Sequence, residues 1–203
     1  MRYPKEQKAE TRGRILSAAA RLFRESGYDG VGVDAIMNEA GLTAGGFYSH
    51  FSSKEALFAE AMATALDPGH ALRATKSSAH AATDPLGALI KGYLSRTHRD
   101  SVAEGCPLPA LTSDVARKSD ATRESYERQF LRFLDEIEGL LPESPMPARE
   151  RALAIVAQCV GGLMLSRAVK NEKLSDQILK SCRLAAMTIC VGERSIKRLE
   201  SIE

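Results

Sequence analysis

Apolar positions along the first third of the chain recur three and four residues apart, and no segment alternates with period two. Residues 12 to 26 place Ile15, Leu16, Ala19, Leu22 and Phe23 on one helical face, and Gly27 stops the helix. Val33, Ile36, Met37 and Ala40 predict a short second helix, Gly41-Leu42-Thr43 a turn, and Phe47 with Phe51 a short third helix. Ser52 and Glu55 read as an S-x-x-E capping box opening a fourth helix striped by Leu57, Phe58, Ala61, Met62 and Ala65. Asp67-Pro68-Gly69 either ends that helix or kinks it, and residues 70 to 83 have weak periodicity.

Asp84 as N-cap and Pro85 at the first helical position open a fifth helix with Leu86, Leu89, Ile90, Tyr93 and Leu94 on one face. After the Gly105-Cys106-Pro107 break come a short helix over about 108 to 118 and a long one from Asp120, with Tyr126, Phe130, Phe133, Leu134 and Ile137 in register. Two more helices span about 148 to 170, striped by Ala152, Ile155, Val156, Cys159, Val160, Leu163 and Met164, and about 175 to 191. The absence of Trp and the abundance of Ala, Leu, Arg and Glu favour helix throughout. The fold class is all-α: a small N-terminal three-helix domain fused through the fourth helix to a C-terminal helical bundle.

The formal charge of +2 becomes informative once it is divided along the chain. Arg2, Lys5, Lys8, Arg12, Arg14, Arg21 and Arg24 face only Glu6 and Glu10 before residue 25, whereas from residue 55 onward 20 cations meet 20 anions. The excess sits where contact with a polyanion wants it, although a charge run also suits a solvated tail. No stretch approaches about 18 uninterrupted apolar residues and no apolar run follows the charged N-terminus, which predicts a cytoplasmic protein without a membrane span. Cys106, Cys159, Cys182 and Cys190 have no C-x-x-C spacing and read as reduced thiols.

Residues 30 to 54 read GVGVDAIMNEAGLTAGGFYSHFSSK, the parts of a helix-turn-helix. Gly41 supplies the permissive turn backbone, Leu42 plugs the angle between helices, and Thr43 is placed to cap the next helix with its hydroxyl. With Phe47 and Phe51 inward, Ala44, Gly45, Tyr48 and Ser49 project outward as a small, nearly flat face. Gly45 and Gly46 each cost about 1 kcal/mol relative to Ala inside a helix, a penalty that close approach to DNA explains. Tyr48, His50 and Lys54 are placed for phosphate contact, and Thr43, Ala44, Gly45 and Ser49 for base edges.

The stretch AGLTAGGFYSHFSSKEALF, Ala40 to Phe58, resembles the DNA-binding domain of the tetracycline-repressor (TetR) family, with the likeness extending over residues 9 to 69. The resemblance implies a homodimer on a palindromic double-stranded operator and repression lifted by a small-molecule inducer. Many relatives carry a larger polar or basic residue where this chain has Ala44, which shifts weight towards shape readout. Residues 9–69 would then be the DNA-binding domain and 70–203 the ligand-binding and dimerisation domain, with the fourth helix as lever.

Candidate pocket residues are Met62, Tyr93, Cys106, Leu111, Tyr126, Phe130, Cys159 and Leu163, each of which fits ordinary core equally well. Cys106, in its loop, is either an inert thiol or one reached by electrophiles. Small residues Gly161, Gly162, Ala168, Ala185 and Ala186 suit either a dimer face or packing within the chain. No catalytic residue, metal site or cofactor is expected: His50 lacks a partner at ligand spacing, Gly30-Val31-Gly32-Val33-Asp34-Ala35 follows no strand, and no H-E-x-x-H, P-loop or G-x-S-x-G occurs. The competing reading is a helical small-molecule binder or enzyme whose N-terminal domain docks a protein.

Overall fold

The computed structural model describes residues 5–66 and 84–191, and all regular structure within them is helical. The helices are α1 (Lys5–Ser26), α2 (Val33–Glu39), α3 (Lys54–Ala65), α4 (Pro85–Tyr93), α5 (Arg96–Asp100), α6 (Leu108–Val115), α7 (Asp120–Gly139), α8 (Ala148–Ala168) and α9 (Glu172–Val191), with a 3-10 helix over Ala44–Ser49 between α2 and α3. The Asp67-Pro68-Gly69 break and residues 70 to 83 lie outside the described residues.

Helix ends follow local chemistry. Gly27 closes α1 and Gly41 follows α2, both at positive φ (73° and 67°), where an L side chain is strained. Asp84 caps α4 as its sequence predicts, its Oδ1 accepting from the Gly87 amide at 2.8 Å. The α3 cap is displaced by one residue from the expected capping box: Ser53 accepts from the Ala56 amide at 3.0 Å. Glu55 does not reach back to the cap, because its Oε1 accepts from the Ser119 amide (3.0 Å), the Ser119 hydroxyl and the Thr122 hydroxyl (2.8 Å). A carboxylate there sits at the N-terminus of α7, where the helix dipole favours it.

Two caps went unrecognised in the sequence. Ser95 accepts from the His98 amide at 3.2 Å and starts the unexpected α5. Asn171 accepts from the Leu174 amide at 2.9 Å, which starts α9 at Glu172, three residues earlier than periodicity suggests.

The described residues cluster into two compact units, and α7 gives its first half to one and its second half to the other. The first unit takes in residues up to Leu66 together with Val102–Gln129. Ile15, Ala19, Phe23, Ile36, Met37, Phe47, Leu57, Phe58 and Met62 form its core. Phe58 meets Phe23 and Tyr28 edge-on, at centroid distances of 5.2 and 5.1 Å, a geometry worth about 0.5–1.5 kcal/mol per pair beyond burial. Asp114 of α6 is buried and accepts from the Tyr28 amide at 3.0 Å, which also fixes the turn after α1.

In the second unit, α4, α5, α8, α9 and the end of α7 surround Leu86, Ile90, Phe133, Ile137, Ile155, Cys159 and Leu163. Gly162 of α8 lies so close to α9 that a Cβ would come within 2.7 Å of the Cys182 Cβ. Gly162 and the fully buried Ala186 therefore serve packing within the chain. Helix α8 is long and apolar enough to cross a membrane by length and composition (mean hydropathy 1.2), yet it buries Arg151, Ile155, Cys159, Leu163 and Ser166 inside the bundle.

Candidate nucleic-acid interface

Helix α2 ends at Glu39 with Ala40 as its C-cap, Gly41 turns the chain, and the Gly41 and Leu42 amides donate back to Asn38 and Met37, each at 2.9 Å. The Arg14 guanidinium donates to the Ala40 carbonyl, bracing the turn from α1. Leu42 is half-buried in the angle, as its apolar side chain predicts.

The element that follows is a 3-10 helix of six residues, tighter than the α-helix its spacing suggests. Thr43 stands at its N-cap without a side-chain bond, contrary to expectation. The tight turn closes through the backbone, the Thr43 carbonyl accepting from the Gly46 amide at 3.2 Å, which leaves the hydroxyl exposed. Phe47 is fully buried and stacks on buried Phe51 at 5.9 Å. These two rings hold Ala44, Gly45, Tyr48 and Ser49 on the exposed side.

Tyr48 is 75% exposed, its ring edge-on to Phe47 at 5.2 Å. A Cβ on Gly45 would meet nothing within 4 Å, and one on Gly46 only the Met37 methyl at 3.7 Å, so the fold itself requires neither glycine. Ser49 donates to the Gly46 carbonyl at 2.7 Å, which leaves its hydroxyl oxygen able to accept.

His50 is half-buried, its Nδ1 enclosed without a hydrogen-bond partner. Burial, with Lys8 and Arg12 adding repulsion, holds its proton affinity below that of an ordinary histidine. A neutral imidazole carries a single N–H donor. Lys54 lies with its ammonium 4.2 Å from the Tyr28 ring centroid, half-exposed.

The basic first helix is less available than its sequence suggests. Arg12 forms a two-pronged pair with Glu60 and lies 4.4 Å over Phe51; Arg14 is bonded to Ala40; Arg21 pairs with Glu25 and Glu39; Arg24 donates to the Ala103 carbonyl. Sequence counting missed this because each partner is distant in the chain or one helical turn away on the same face. Lys8, exposed on α1 and acting electrostatically on His50, is the cation that counting did not single out.

The predicted pocket residues do not gather in one place. An apolar crevice in the second unit is lined by Leu89, Tyr93, Phe133, Ile137, Ile155, Val156, Cys159 and Val160. It includes Tyr93 and Cys159, with a volume of about 10 Å³, the size of about one water. Phe130 and Leu163 belong to the same unit without lining it. Met62, Cys106, Leu111 and Tyr126 belong to the first unit, where Met62 and Leu111 are core and the Tyr126 hydroxyl lies 3.4 Å from that of Thr112. Among the described residues no group of His, Cys, Asp or Glu is disposed to hold a metal.

A two-helix reading head with a glycine turn, an inward aromatic pair and a flat outer face defines a helix-turn-helix transcription regulator. Relatives make the assignment specific. The pattern of "Bacterial regulatory proteins, tetR family" matches residues 15–61. The chain is 30% identical over 170 residues to the HTH-type transcriptional regulator LmrA of Bacillus subtilis, covering 80% of this chain and 89% of that protein. It is 35% identical over 91 residues to the regulator TtgR of Pseudomonas putida, 45% of this chain and 43% of that one. A TetR-family regulator from Cytophaga hutchinsonii has the same fold, with a TM-score of 0.72 at 22% identity over 92% of this chain and 98% of its own. This chain belongs to the TetR family of transcriptional regulators, which are DNA-binding proteins and not enzymes.

Proposed function

We propose that the chain is a ligand-responsive repressor: two copies bind a palindromic operator, and a small molecule taken up by the C-terminal part releases them. Residues 9–69 carry DNA binding, and 70–203 carry ligand binding and dimerisation. The observation that supports this best is the flat face of Ala44, Gly45, Tyr48 and Ser49, held outward by buried Phe47 and Phe51. Tyr48, His50 and Lys54 then fix the phosphate backbone, and Thr43, Ala44, Gly45 and Ser49 reach base edges, with Gly46 keeping the element slim.

A homodimer is supported by the exposed apolar side chains of α8 and α9, Leu153, Met164, Leu165, Leu174 and Leu184. Ligand entry requires the crevice beside Tyr93 and Cys159 to open, since bound molecules of drug size need about 300 Å³ or more. Coupling of about 1–3 kcal/mol weakens operator binding roughly five- to 150-fold.

The experiment is a gel shift with the DNA upstream of the protein's own gene. The wild type is expected to retard it, and Tyr48→Ala to lose at least tenfold in affinity with unchanged melting, since so exposed a side chain contributes little to the core. Full retention of binding by Tyr48→Ala removes Tyr48 from the contact face, and no retardation by the wild type overturns the reading in favour of a protein-docking module.

A further inference from the structure

Lys118, in the connection between α6 and α7, lies far outside the helix-turn-helix in sequence but belongs to the same compact unit. Its ammonium stands 3.4 Å from the centroid of the Tyr28 ring, and that of Lys54 stands 4.2 Å from the same centroid. Two like charges are therefore held against one aromatic ring, both half-exposed. A cation on a ring face keeps its N–H donors for other partners.

The neighbouring charges leave this pair without a direct counter-ion. Arg117 is bonded to Asp114 at 2.7 Å. The Glu55 carboxylate is occupied by Ser119 and Thr122 and acts on Lys118 from a distance. Asp29 acts on Lys54 in the same way, while Lys118 repels its proton. Among the described residues no ion pair ends on either lysine, so an anion bridging them relieves a repulsion already present in the free protein.

We infer that Lys118 joins Lys54 in gripping one DNA phosphate, extending the DNA-contacting surface beyond the helix-turn-helix to the α6–α7 connection. This rests on the reading of the Lys54 face as the DNA face. An ammonium is a compact point charge suited to a phosphate oxygen, and two of them from separate chain segments fix its position without reading a base.

The test is a salt titration, from about 50 to 200 mM, of binding to a mixed-sequence duplex of about 30 base pairs, followed by fluorescence anisotropy. Lys118→Met keeps an apolar contact with Tyr28 and removes the charge. It is expected to weaken binding at about 50 mM salt several-fold, Lys54 still holding the shared phosphate, while the Lys54→Met/Lys118→Met double variant lowers the slope of log affinity against log salt by about 0.9 per bound subunit, the signature of one lost phosphate contact. Lys118→Arg is expected to keep the affinity, as is Lys91→Met, which removes an equal charge from exposed α4. Should Lys118→Met melt below the wild type, Lys118→Gln carries the same comparison. Wild-type affinity in both charge-removing variants of Lys118 overturns the grip alone, provided Tyr48→Ala still weakens binding. Failure of the wild type to bind any duplex removes both the grip and the proposed function.

Discussion

Gly41 carries a conformational demand that no neighbour relieves. Its φ of 67° is costly for any residue with a Cβ, and a Cβ there would also come within 2.9 Å of the Arg14 Nη2. The arginine end can move aside, so the backbone sets the penalty. Gly41→Ala is expected to destabilise the protein by about 1–2 kcal/mol in denaturant titration. His98 makes a second prediction. Burial, with Arg167 assisting, lowers its proton affinity despite the 2.8 Å bond from its Nδ1 side to the Tyr93 carbonyl. With the folded value below the unfolded one, its stabilising contribution is complete above about pH 6.5 and is lost as pH falls through the folded value. Thermal melts between about pH 7 and 5 are expected to show stability falling with acidity, and His98→Asn, which can still donate to Tyr93, to flatten that dependence.

Helix α3 shows how a correct element can rest on a wrong cap. Both Ser52 and Ser53 precede it, and the S-x-x-E spacing favours Ser52, but Ser53 holds the Ala56 amide. Ser53→Ala is therefore expected to cost about 1 kcal/mol in thermal or chemical melts, and Ser52→Ala to stay within about 0.5 kcal/mol of the wild type. Spacing misled because Glu55 had a stronger offer elsewhere: three donors at the start of α7, 64 to 67 residues away in sequence. The elements legible in the sequence were those with both a stripe and local punctuation, such as α1 ending at Gly27 and α4 starting at Asp84-Pro85. Five-residue α5 has no buried stripe and depends on the Arg167 side chain donating to the His98 and Arg99 carbonyls at 2.7 and 2.9 Å. A short helix held by a residue of α8 leaves no periodic trace.

At the scale of the whole molecule, assembly is the property to test. Leu165 and Leu184 are 58% and 67% exposed, an unfavourable placement for a lone chain. For the proposed dimer, Leu184→Lys is expected to lower the sedimentation coefficient to that of a monomer and to weaken binding to the proposed two-half-site operator; an unchanged sedimentation coefficient would count against this face. The candidate DNA face was largely legible because its parts are contiguous, from Gly41 to Lys54, whereas Lys118 reaches it only through the fold. The crevice was not legible as a region: Tyr93 and Cys159 line it, but Met62, Cys106, Leu111 and Tyr126, expected beside them, belong to the first unit. Phe133, Ile137 and Val160 were visible only as stripe residues, since periodicity says that a side chain faces inward without saying what it faces.

The arginines of α1 have a consequence for how the protein finds its target. Because Arg12 and Arg21 are paired with the carboxylates of Glu60 and Glu39, the far field of the reading head is weaker than its first 24 residues advertise, while Arg14 and Arg24 keep their charge but spend donors on the Ala40 and Ala103 carbonyls. Encounter with chromosomal DNA should then depend modestly on ionic strength, and discrimination should arise late, at touching distance, from the fit of a shallow surface against the groove.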